Sequence, residues 1–199
     1  MTAITTASEN TWINADNVRS AGGDLDSVWV GKLGAVMPDG MTVPEEHANI
    51  GWLSDEGIEL GHDDNTETFN GHQGGKVVRK KVTTSEDTFK FTALESTALT
   101  YGLIHDIRSR TTEGSGANGT YTRMKVTGSK KQNDRRSWIV DLWDGDIWER
   151  YLIPSGEVGE RPTVNATNSD LKTYEFTVTV YGSYEILTND PAQAVGASE

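Results

Sequence analysis

Apolar and polar residues alternate with a period of two through several short stretches of this chain, and Gly, Asp, Asn or Pro interrupts each of them. Such alternation places successive side chains on opposite faces of an extended strand, so the pattern predicts a chain made mostly of strands. The run 28–36, Val-Trp-Val-Gly-Lys-Leu-Gly-Ala-Val, is rich in β-branched and aromatic residues and stops at Met37-Pro38-Asp39-Gly40, where proline presets φ for a turn. A polar loop is expected over 37–50, and a short strand, Ile58-Glu59-Leu60, after it. Residues 61–68 are too polar for a core element, whereas 76–84 and 87–94 alternate and read as paired strands. One helix is expected. Ser96 can cap a segment over 97–104, where Ala98, Leu99, Leu103 and Tyr101 lie on or near one apolar stripe, with Gly102 costing about 1 kcal/mol relative to Ala.

Residues 110–119 have the composition of a flexible loop, and 120–127 resume strand alternation. Asp144-Gly145 between the alternating runs 137–143 and 146–153 is a strong hairpin signal. A two-residue turn there sets Leu142 opposite Ile147, Val140 opposite Glu149 and Trp138 opposite Tyr151. Trp143, Asp141, Ile139, Trp148 and Arg150 then share the other face, so neither face is purely polar and each needs a cover. The run 173–181 is the last strand, with Tyr174, Phe176, Val178 and Val180 inward. The expected organisation is an N-terminal arm over 1–27, a β domain over 28–187 and a C-terminal tail over 188–199.

Composition narrows the picture. A chain of 199 residues fits one domain with a lean core, and its 21 glycines against 5 prolines suit turns better than long helices. The absence of cysteine rules out disulfides, Cys-ligated metals and thiol nucleophiles. The amino terminus has neither a basic nor an apolar region of the kind a signal peptide needs. No apolar run approaches the roughly 18 residues that span a bilayer, so neither secretion nor membrane insertion is expected.

The net charge of −12 is unevenly spread: residues 1–75 carry −11, 76–136 carry +7 and 137–199 carry −8. A net acidic chain disfavours tight nucleic-acid binding. The segregation fits either solvated strand faces or complementary surfaces on neighbouring copies.

No catalytic constellation stands out. His47, His62, His72 and His105 are too widely spaced for a helical metal pair and read as lone surface histidines. Gly114-Ser-Gly-Ala-Asn-Gly119 precedes a strand rather than opening a helix, so it offers no pyrophosphate site. Asp63-Asp64-Asn65 and Asp144-Gly145-Asp146 lack the spacing of a calcium loop. No catalytic residue, cofactor or metal ligand is assigned.

Gly51-Trp52-Leu53-Ser54-Asp55-Glu56-Gly57, Gly71-His72-Gln73-Gly74, Val77-Val78-Arg79, the single helix after Phe89-Lys90-Phe91 and the closing run from Tyr174 to Tyr181 resemble, in that order, the major tail proteins of long-tailed bacteriophages. The likeness extends over roughly residues 28–185. It implies a mainly β, sandwich- or barrel-like domain with one flanking α-helix, similar to the tube protein of type VI secretion. It also implies hexameric rings that stack into a hollow tail tube around a tape-measure protein, and tail terminator and distal tail proteins at its ends. Double-stranded DNA would pass through without specific binding, and the protein would be made in the host cytoplasm. Strand pairing between subunits would also cover open sheet edges, and a head-to-tail contact that does not close would extend into a filament.

Under that resemblance the loop residues Met41, Pro44, Glu45 and Glu46 are candidate contacts between rings. Lys76, Arg79, Lys80, Lys81, Arg135 and Arg136 are candidate partners for the acidic segments of a neighbour. The hairpin residues Trp138, Trp143, Asp144, Gly145 and Trp148 mark the surface that needs covering. A competing reading makes Trp138, Trp143 and Trp148 the stacking platform of a carbohydrate- or receptor-binding β-sandwich.

Overall fold

The computed structural model describes residues 15–114, 119–129, 131, 133–164 and 167–194. The expected loop residues 115–118, most of the arm and the end of the tail lie outside the described residues. Ten strands follow in chain order: β1 (Ser27–Lys32), β2 (His47–Asn49), β3 (Leu53–Asn70), β4 (Val77–Ala93), β5 (Asp106–Glu113), β6 (Tyr121–Thr127), β7 (Arg136–Asp144), β8 (Ile147–Val158), β9 (Tyr174–Val180) and β10 (Glu185–Thr188). The helix α1 (Ala98–Ile104) lies between β4 and β5. The main sheet runs β2-β1-β7-β8-β9-β4-β3, with β10 also on β8, and all its pairs are antiparallel. β5 and β6 form a separate two-stranded sheet.

The sheet curls around one core. Val28 and Val30 of β1, Trp138 and Val140 of β7, Phe89 and Phe91 of β4, and Tyr174, Phe176 and Val178 of β9 are all buried in it. β7 and β4 stand three places apart in the sheet, yet the Trp138 and Phe89 rings meet edge to face at 5.3 Å. The sheet therefore folds back on itself across these rings. Leu103 and Ile104 of α1 close one side of the core.

The helix begins one residue later than expected. Thr97, not Ser96, is the cap, accepting a hydrogen bond from the Thr100 amide at 3.2 Å, while the Ser96 hydroxyl is 2.7 Å from that of Tyr174. Of the expected stripe, Leu103 is buried, Leu99 and Tyr101 pack at the core's rim and Ala98 is exposed. Thr100 takes the buried place because its hydroxyl donates to the Glu95 carbonyl at 2.9 Å.

The stretches 76–84 and 87–94 are not partners of each other. They form one strand, β4, which pairs along its length with β3. The polar residues 61–68 are extended and belong to β3, with nothing over them. Their polarity reported exposure, not conformation. Residues 110–113, expected in a flexible loop, finish β5 opposite β6.

The hairpin of β7 and β8 forms with its register moved by two residues. Gly145 and Asp146 make the turn, and Gly145 supplies φ of 61° at the first loop position, where a type II′ turn requires glycine. Leu142 therefore faces Glu149, Val140 faces Tyr151, and Asp141 faces Arg150. A shift of two leaves every side chain on its expected face.

Trp138 is fully buried, and its indole N–H donates to the Gly156 carbonyl at 3.1 Å. Trp138→Ala is expected to destabilise the fold by about 3–5 kcal/mol. At the 77% exposed Trp52, alanine should cost under about 0.5 kcal/mol. Urea titration of both variants checks the contrast.

Candidate inter-subunit surface

The loop between β1 and β2 is fastened to the back of the sheet by buried polar groups. Arg150, 2% exposed, grips Asp141 with two hydrogen bonds of 2.6 and 2.8 Å, and its Nη1 donates to the Gly40 carbonyl. The Ser27 hydroxyl donates to the same carboxylate at 3.2 Å and accepts from the Trp29 indole at 2.9 Å. The pair is thus satisfied on several sides, as buried charges must be.

His47 anchors the loop's other end and is buried, contrary to the expected surface position. The Ser137 hydroxyl donates to the Lys32 carbonyl at 2.9 Å, so it must accept from His47 Nε2, 3.0 Å away. His47 Nδ1 is left buried with no partner among the described residues. Gly31 makes the cluster possible, because a Cβ there would stand 2.5 Å from Ser137 Oγ and 2.7 Å from the imidazole. Burial holds the His47 pKa below its ordinary 6.5, against a smaller opposing pull from Glu46.

Held this way, the loop turns Leu33, Val36 and Met41 outward, with Glu45 and Glu46 exposed and Pro44 half-buried. Glu46 is partly engaged, accepting from the Val36 amide at 3.3 Å.

The second face of the β7–β8 hairpin is covered by the chain itself. Asp26 accepts from the Trp143 amide at 2.7 Å, Ser20 donates its amide to Asp144 at 3.1 Å, and Arg19 clasps Asp190 at 2.7 and 2.8 Å. Trp143 and Trp148 are half-buried beside each other, their rings 6.4 Å apart, and Trp138 is in the core. The three tryptophans therefore do not form an exposed stacking platform.

Beyond the core, β3 and β4 continue as a projecting hairpin whose residues 62–70 and 72–86 are exposed. Lys76, Arg79, Lys80 and Lys81 lie there, with Lys81 opposite Glu67, Lys80 opposite Thr68 and Arg79 opposite Phe69. Arg135 instead stacks on the Tyr181 ring at 4.2 Å, and Arg136 is held by Asp134 at 3.0 Å. The candidate contacts thus fall into three groups: the pinned loop, the projecting hairpin, and two arginines engaged by their own chain. Sequence reasoning passed over the exposed Phe69, Val77, Val78 and Val82 on the hairpin and Tyr121, Met124 and Val126 on β6. Their alternation looked like that of half-buried strands.

The fold and these surfaces define a mainly β protein distinguished by projecting strands and a pinned loop with apolar residues outward. The family of phage tail tube proteins has a model that matches residues 11–193, and the chain belongs to that family. No curated protein matches the sequence. Among solved structures, a chain from "Virion of native gene transfer agent (GTA) particle" is similar with a TM-score of 0.46 and 7% identity, over 84% of this chain and 99% of that one. Likeness at that level carries no argument about function. No helix among the described residues is long and apolar enough to cross a membrane.

Arg150→Met is expected to cost about 3–5 kcal/mol by stranding Asp141, and adding Asp141→Leu should recover most of it. The double variant should still lose the Gly40 anchor, seen as faster cleavage after Glu45 or Glu46 by a glutamate-specific protease. The His47 shift gives a pH signature. Above the ordinary 6.5 both folded and unfolded states keep the ring neutral. As pH falls through 6.5 the unfolded chain binds the proton first, so stability declines until the lower folded pKa is passed. His47→Gln should flatten that decline in urea titrations run at several pH values.

Proposed function

We propose that copies of this chain join into six-membered rings that stack into the hollow tube of a phage tail, through which double-stranded DNA passes. Membership of the tail tube family supports the structural role. The observation that carries the reading is the projecting hairpin of β3 and β4. Its residues 62–70 and 72–86 are exposed on both faces although Phe69, Val77, Val78 and Val82 are apolar, a surface that neighbouring copies would cover.

The pinned loop, with Leu33, Val36 and Met41 outward, is the proposed contact to the next ring. The basic residues Lys76, Arg79, Lys80 and Lys81 are proposed to meet acidic segments of a neighbour. A net acidic wall would repel phosphates and let DNA slide. A tape-measure protein within, terminator and distal tail proteins at the ends, synthesis in the host cytoplasm, and kinship of fold with the type VI secretion tube belong to the same proposal.

Negative-stain electron microscopy of the concentrated protein is expected to show rings or tubes about 100 Å across, from the size of six such domains around a pore. A monodisperse monomer at all concentrations would refute the reading. Lys80→Glu with Lys81→Glu should weaken tube formation most at low salt, measured by sedimentation.

A further inference from the structure

Two strand edges are open in a way that points to each other. β3 is bonded to β4 along one side and to nothing on the other among the described residues, over 18 residues. β5 and β6 form a hairpin that pairs with no other strand among the described residues. A lone two-stranded hairpin is marginal in water, and a long open edge is a template for another strand.

Charge decides which edges match. β3 carries Asp55, Glu56, Glu59, Asp63, Asp64 and Glu67 and no Lys or Arg. β6 carries Arg123 and Lys125 and no Asp or Glu. The other long open edge, β4 before Thr88 where β9 pairing stops, holds Arg79, Lys80 and Lys81 and would repel β6. β5 carries two residues of each sign, so it is the weaker partner for either edge.

Register sharpens the match. Glu59, Asp63 and Glu67 share one face of β3, lying opposite Lys90, Glu86 and Lys81. Asp63 and Glu86 are thus like charges directly across the ladder, both exposed, and neither is in an ion pair among the described residues. A cation arriving from outside the chain would relieve them. Arg123 and Lys125 are two residues apart and share one face of β6. Arg123 is bound to Glu113 at 3.0 Å in an exposed pair, which can be exchanged at little cost.

We propose that β6 of one copy adds as an antiparallel strand to the outer edge of β3 of a neighbouring copy, with Lys125 opposite Asp63 and Arg123 opposite Asn65, diagonal to Glu67. The contact joins two different surfaces, so it is head-to-tail and repeats around a ring. It rests on the tube reading above and supplies that reading with its lateral interface.

The test uses the full chain and sedimentation at low salt. Asp63→Lys with Glu67→Lys, and separately Arg123→Glu with Lys125→Glu, should each lower pelletable polymer about tenfold, and the four substitutions together should restore most of it. Glu67→Lys sets a lysine opposite Lys81, so Asp63→Lys is also run alone: it removes the repulsion with Glu86, and any loss of polymer it causes does not come from a weakened hairpin. Near-UV circular dichroism reports the intact core in each variant. As the chain has no cysteine, Asn65→Cys combined with Arg123→Cys should give a ladder of covalent oligomers on oxidation, and either alone none above dimer. If tubes form but the one-sided variants assemble like the parent, or the combination is no better than either, the β3–β6 pairing is overturned and the tube reading stands. If the parent chain forms neither rings nor tubes, the tube reading falls and the pairing with it.

Discussion

The core ends before the strands do. Along β4 it reaches from Ala93 to Phe89, Thr88 and Asp87 are half-buried, and the residues from Glu86 back to Val77 are exposed. Burial of apolar area is what holds a sheet against its ordering entropy, so a strand that outruns the core must find its remaining contacts elsewhere. Most features of this molecule follow from that mismatch: the long open edge of β3, the detached pair β5 and β6, and apolar side chains such as Val78 and Phe69 standing in solvent. Within the core the aromatic ring contacts give the tight packing that lets a small interior carry such extensions.

A second device works on the back of the sheet. The buried Ile139 and Leu152 there stand beside a buried ion pair, and the loop above is tied to that pair by a charge-assisted hydrogen bond. Arg150, Asp141 and Gly40 tie its middle, and His47 with Ser137 ties its end. Apolar residues on the loop's outer side are thereby shown at a fixed place without having to be buried. A rigid, pre-formed contact loses less entropy when a partner arrives.

The segregated charge also changes meaning in three dimensions. Part of it is spent inside one copy, as in Lys90 with Glu175 or Arg123 with Glu113, where exposure makes each pair weak. The charge is also arranged by strand, an acidic β3 and a basic β6, and weak exposed charges gain influence when many of one sign line one edge.

The alternation of Tyr174, Phe176 and Val178, of Val28 and Val30, and the turn near Gly145 were readable in the chain, because period-two patterning and glycine's left-handed φ are local properties. So was the placing of Asp141 and Arg150 on one face. Their pairing was not, because it needs the two-residue register shift that brings them directly opposite, and register is settled by the whole ladder. Polar residues 61–68 hid a strand, and the buried His47 looked like a surface residue, since polarity predicts exposure while conformation and burial depend on what lies alongside. By itself the sequence determined a mainly β chain, its inward faces and its one helix. Only the tertiary structure decided which strands lie side by side, how far the core extends beneath them and which edges stay open, because those depend on contacts between residues far apart in the chain.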